Sequence, residues 1–185
     1  MDSIVTTVWR ALVGRAPLPA ASDNPRVLPA YAALARYQLS PTDLEPRLRT
    51  LATQLAAERS GCRWCIDRGR HLWREARLPG VLLHELLQYE ASSLFSVRER
   101  AALRFTDAVT RYSDSNGQRG MPLEPLMTVR EHFSEPEVAA LTAAVAAMHF
   151  FNPVTGALGA DAEPREARRS AWGAPIGSSL RNFWL

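Results

Sequence analysis

Apolar residues in this chain recur at intervals of three and four, segment after segment, and no run alternates with a period of two. That spacing places side chains on one face of an α-helix, where positions i, i+3, i+4 and i+7 share a side. The expected fold is therefore all-α, and the short connections between the periodic segments imply an antiparallel helical bundle. Leu28, Tyr31, Leu34 and Ala35 mark one helix, which the turn Ser40-Pro41-Thr42-Asp43 ends. From Asp43 to Arg59 the positions Leu44, Leu48, Leu51, Ala52 and Leu55 form one apolar face, interrupted by Gly61. A further helix starts near Cys62, with Ser60 placed to cap it, and carries Cys65, Ile66, Gly69, Leu72, Trp73 and Ala76 along one side as far as Pro79-Gly80. Leu82, Leu83, Leu86 and Leu87 supply a short helical turn. Two capping boxes, Ser96 with Glu99 and Ser134 with Glu137, announce longer helices, and Pro122 opens a short one between them.

A chain of 185 residues is expected to form one main domain. Its bounds are read as 28–162, after an amphipathic N-terminal helix and linker over 1–27. A polar, Gly- and Pro-rich tail follows over 163–185, ending on Phe183-Trp184-Leu185; it reads as a docking segment or a disordered end. All 22 basic residues are arginine, so chemistry that needs a lysine amine is excluded. The alanine-rich, lysine-free composition fits a GC-rich bacterial source. Arginines are interleaved with acids and the net charge is only +3, so no nucleic-acid partner is expected. The N-terminus lacks the basic-then-apolar order of a signal peptide. The uncharged run 138–160 reads as a core helix followed by a turn at Asn152-Pro153, not as a membrane span. The expected location is the cytoplasm, where thiols are kept reduced and a close cysteine pair points to redox or metal chemistry.

The only two cysteines stand together as Cys62-Arg63-Trp64-Cys65 at a helix start. Unpaired backbone N–H groups and the positive end of the helix dipole favour a thiolate there, Arg63, Arg68 and Arg70 add positive charge, and the i, i+3 spacing lets one sulfur reach the other. The alternative is a pair of small buried hydrophobes. A zinc site lacks its second half, because only His71 follows at usable spacing, so neither metal nor cofactor is expected.

Other landmarks extend the pattern: Leu44-Glu45-Pro46-Arg47-Leu48-Arg49, then Ser60-Gly61 before the cysteines, then Leu94-Phe95-Ser96 with Arg98-Glu99-Arg100-Ala101-Ala102, then Glu131-His132-Phe133-Ser134-Glu135, and Asn152 with Ala157-Leu158-Gly159. In this order the chain resembles the carboxymuconolactone decarboxylase / alkylhydroperoxidase D-like superfamily over roughly residues 28 to 162. The resemblance implies an all-α fold assembled as a homo-oligomer, a trimer or hexamer or else a dimer. For the peroxidase branch it implies a peroxiredoxin-type thiol mechanism in which Cys65 is the nucleophile and Cys62 resolves. The chain departs from that branch where it keeps a glutamate twelve residues before the first cysteine, a histidine before the second and a histidine four after it. Thr50, Trp64 and Gly69 stand there instead.

Glu58, one helical turn before Cys62, is the candidate for proton transfer in their place. His149 and Asn152 on the C-terminal helix are candidates for lining the same space, Trp64 for walling it, and His71 is expected to point elsewhere. The expected function is a thiol-dependent hydroperoxide reductase or related thiol–disulfide oxidoreductase, with a small hydroperoxide as substrate and an external thiol protein as reductant. The alternatives are a decarboxylase-like enzyme acting on a small organic acid or lactone, and a non-catalytic helical oligomer.

Overall fold

The computed structural model of the protein describes residues 28–114 and 121–157. Among them are seven α-helices and no strand: α1 (Leu28–Leu39), α2 (Pro46–Ser60), α3 (Arg63–Glu75), α4 (Gly80–Glu85) continued by a 3-10 turn (Leu86–Gln88), α5 (Val97–Asp114), α6 (Leu123–His132) and α7 (Glu135–Ala157). The all-α architecture is thus as expected from the apolar spacing. The expected N-terminal helix over 1–27 and the tail over 163–185 lie outside the described residues.

The chain divides into two compact units, 41–153 and the combination of 1–40 with 154–185. In the second, α1 closes on Ser40, whose backbone N–H and hydroxyl both donate to the Arg36 carbonyl. The first contains the cysteines and is built around α2. The single apolar face expected for this helix is in fact two. Leu48, Ala52 and Ala56 join Phe105 of α5, Val129 of α6 and Leu141 and Val145 of α7 in one core cluster. Leu51 and Leu55 join Trp73, Leu82, Leu86, Phe95 and Leu103 in a second. A helix covered on two sides carries apolar residues around more of its circumference than one stripe allows.

Both capping boxes form. At α5 the Glu99 backbone N–H donates to Ser96 Oγ while the Ser96 N–H donates to Glu99 Oε2 at 2.8 Å. At α7 the Ser134 N–H and hydroxyl both donate to Glu137 Oε2. Glu99 also accepts from Arg47 Nε at 2.6 Å, which ties α5 to the first turn of α2. Helix α7 does not end at Asn152-Pro153 as expected; Pro153 lies inside it. Proline deletes one helical N–H bond, and near a helix end at an exposed position that loss is tolerated. By length and composition 135–154 is apolar enough to cross a membrane, yet Val138, Leu141 and Val145 are committed to the core.

Helices α2 and α3 form an antiparallel hairpin through Gly61, whose left-handed φ of 67° closes α2 with its N–H on the Glu58 carbonyl. Further up the hairpin, Gly69 of α3 lies flat against the side chain of Gln54, which is 0% exposed. A methyl group on residue 69 would overlap Gln54 Oε1 and stand 3.0 Å from Cδ. The missing side chain lets the two helices meet at this level.

Two outcomes follow from this packing. Glycine to alanine inside a helix ordinarily stabilises by up to ~1 kcal/mol, but Gly69→Ala is expected to destabilise by about 1–3 kcal/mol through overpacking. In a Gln54→Ala background the same change becomes neutral or stabilising, as urea unfolding of the four proteins measures. For Glu99, burial opposes its charge but the Ser96 N–H, Arg47 and the Ser96 hydroxyl outweigh it and hold the carboxyl below its ordinary value. A depressed carboxyl stabilises the fold above the unfolded pKa of ~4.3 and ceases to as pH falls through the folded value. Glu99→Gln is therefore expected to cost about 1–2 kcal/mol at pH 7, as caps and paired carboxylates do, and the gap from the parent closes below pH ~4, in thermal unfolding across that range.

Candidate redox site

Cys62 and Cys65 are joined as a disulfide at the start of α3, with Cα atoms 5.3 Å apart. The cap of this helix is Cys62 and not Ser60, which corrects the expectation from the sequence. Ser60 is still helical, the last residue of α2, and its hydroxyl turns back to the Ala56 carbonyl at 2.8 Å. Cys62 has the extended backbone of a cap, and its Sγ accepts the backbone N–H of Cys65 at 3.2 Å. The helix terminus therefore acts directly on the Cys62 sulfur, where it favours negative charge once the bond is reduced. Cys65 lies one turn inside. Both cysteines are buried, at 4% and 1% exposure, beside a buried Trp64.

The hairpin register brings Glu58 to this site. Gln54 meets Gly69, so one helical turn toward the connection on each strand of the hairpin sets Glu58 level with Cys65. Glu58 is not a solvent-facing acid, since its side chain is only 15% exposed. Its Oε1 accepts from Gln54 Nε2 at 2.8 Å and from Arg70 Nη2 at 3.0 Å. The oxygen of Gln54, buried against Gly69, has no hydrogen-bond partner.

The other candidates lie apart from this cluster in their bonding. His71 Nε2 turns along α3 to Glu75 at 3.2 Å, and burial lowers its pKa despite the opposing pull of that carboxylate. His149 of α7 meets Thr110 Oγ1 of α5 at 3.3 Å, and Asn152 is half-buried one turn further on. Thr50 donates its hydroxyl to the Pro46 carbonyl within α2. Among the described residues no group of His, Cys, Asp and Glu is arranged to hold a metal ion.

Two polar features escaped the sequence reading. One is Gln54, whose only signal is a glycine in the middle of the facing helix. The other is Asp107 of α5, 4% exposed on a helix face otherwise apolar. Arg59, just before the cysteine turn, grips Asp107 with two donors, Nε at 2.8 Å and Nη2 at 3.1 Å. Tyr89 and Arg111 donate to the same carboxylate. Burial, with Asp107 and Glu90 beside it, pushes the Tyr89 phenol far above its ordinary value, so it remains a donor. The hydrogen bond to Asp107 raises the Arg59 guanidinium in turn. This lock fixes the C-terminal end of α2, and with it the approach to Cys62.

No family model matches the sequence, and no curated protein matches it. Solved structures do. A protein of unknown function from Agrobacterium tumefaciens, described as a candidate AhpD antioxidant defence protein, is 28% identical, with a TM-score of 0.67 over 75% of this chain and 91% of its own. The debrominase Bmp8 is 19% identical, with a TM-score of 0.71 over 92% of this chain and 91% of its own. An uncharacterised peroxidase-related protein from Silicibacter sp. TM1040 is 18% identical, with a TM-score of 0.64 over 83% of this chain and 80% of its own. With seven helices, no described strand and these neighbours, the chain has the AhpD-like fold, as the order of its sequence landmarks had implied.

Proposed function

We propose that the protein is a thiol-dependent hydroperoxide reductase of the peroxiredoxin type, working through Cys65 and Cys62 in a reducing, cytoplasmic setting. The observation that carries this reading is the Cys62–Cys65 disulfide at the head of α3, with the cap hydrogen bond on Cys62 and Glu58 level with Cys65. The A. tumefaciens and Silicibacter neighbours, named for antioxidant defence and peroxidase relationship, support it.

In the reduced protein the Cys65 sulfur attacks the distal oxygen of a hydroperoxide ROOH and the O–O bond breaks. Glu58 takes the thiol proton and delivers it to the departing alkoxide, leaving an alcohol and the Cys65 sulfenic acid. The Cys62 sulfur then attacks Cys65 and expels the hydroxyl group as water, forming the disulfide. An external dithiol reopens it and is itself oxidised. Cys62, its negative charge stabilised by the helix terminus, is the better leaving group in that exchange. Trp64 and the apolar lining exclude water from the sulfenic acid, while His149 and Asn152 contribute shape and not proton transfer. Functional copies assemble as a homo-oligomer.

Turnover of a small alkyl hydroperoxide with dithiothreitol is expected in the parent protein. It should be lost, by 100-fold or more, in Cys65→Ser. Cys62→Ser should retain one stoichiometric oxidation and then stall at the sulfenic acid, visible by trapping with dimedone. Equal low rates in parent and Cys65→Ser overturn the reading. Because a debrominase shares the fold, a halogenated pyrrole belongs in the same substrate panel, and its turnover in place of the peroxide would redirect the assignment to another thiol reduction.

A further inference from the structure

A thiol peroxidase needs a proton acceptor beside its nucleophile, and Thr50, Trp64 and Gly69 provide none. We propose that Gln54 is the positioning residue of this site: its carboxamide occupies the side-chain space of Gly69 and holds the Glu58 carboxylate against the Cys65 turn. The proposal deepens the thiol-reductase reading and rests on it.

Four observations converge. A helical side chain leans toward its own N-terminus and covers the preceding turn, so the space over Gly69 is the space beside Cys65. Gln54 fills that space from the facing helix, fully buried. Its Nε2 grips Glu58 by Oε1, the same oxygen that Arg70 holds, and Oε2 of Glu58 accepts no hydrogen bond from the described residues. The carboxylate is thus fastened through one oxygen with the other available for a proton. Finally, the Gln54 oxygen is buried without a partner. A leucine or methionine would fill the same volume without stranding an acceptor, so packing alone gives no reason for an amide here. Fastening Glu58 does.

The test compares Gln54→Met, Glu58→Gln and the double variant in two assays across pH 6 to 10. The first is alkylation of Cys65 by iodoacetamide after dithiothreitol reduction, in a Cys62→Ser background. The second is peroxide turnover with Cys62 present. A carboxylate beside a thiol raises the thiol's pKa, so Glu58→Gln should move the alkylation profile to lower pH. The same change should slow peroxide turnover at pH 7 by about 10- to 100-fold, as loss of a proton-transfer group does. Gln54→Met should shift both readouts in those directions, and the double variant should match Glu58→Gln within about twofold, the mark of residues acting as one unit. A merely structural residue would slow turnover without moving the alkylation profile down.

Gln54→Met with unchanged profiles, or effects that multiply with those of Glu58→Gln, overturn the proposal. Should Gln54→Met not fold, Gln54→Asn, which keeps the amide but withdraws it by one methylene, carries the same comparison. Alkylation uses no peroxide. A parent protein inactive toward hydroperoxides removes the peroxidase reading while the alkylation comparison still decides the role of Gln54.

Discussion

The burial of α2 on two faces is the constraint on which the rest of the unit depends. Its alanines and leucines divide between one cluster with α5, α6 and α7 and another with α3, α4 and the segment up to Phe95. A helix enclosed this way leaves little room for polar atoms, since each must find a partner inside the protein. Gln54 sits at the seam between the clusters and is accepted because the facing residue has no side chain. The meeting of Gln54 with Gly69 sets the register of the hairpin, and the register sets what stands beside the cysteines.

Arginine supplies the electrostatic framework. Its planar fork can engage a carboxylate with two donors, which an ammonium group cannot match in geometry. Arg59 does this on Asp107, Arg47 reaches Glu99 at the head of α5, and Arg70 shares Glu58 with Gln54. Each link joins α2 to another helix. They fix orientation between elements already held by apolar burial, and the mostly buried carboxylates are the partners whose loss would leave a guanidinium uncompensated.

Much of this was legible from residue order. The capping boxes at Ser96 and Ser134 formed as written because a cap is a local device: its donor and acceptor lie three residues apart. Ser60 was misread for a related reason. A hydroxyl before a helix suggests a cap, but α2 runs on to Ser60 and the left-handed Gly61 takes up the reversal, so the next extended residue is Cys62. Pro153 suggested a break that the helix does not make. The single stripe assigned to α2 failed because periodicity reports that a position is apolar, not which neighbour covers it.

What the sequence by itself determined is the helical class, the caps, the pairing of two cysteines at a helix start, and the absence of the acid and imidazoles that related peroxidases place around them. These are local properties, set within one or two turns. What only the tertiary structure decided is which groups stand in that vacancy. Gln54 is eleven residues from Glu58's partner-helix counterpart in its own hairpin only by being folded against Gly69, and Asp107 is 48 residues from the Arg59 it locks. Such contacts depend on how helices cross, and the crossing depends on burial summed over the whole core.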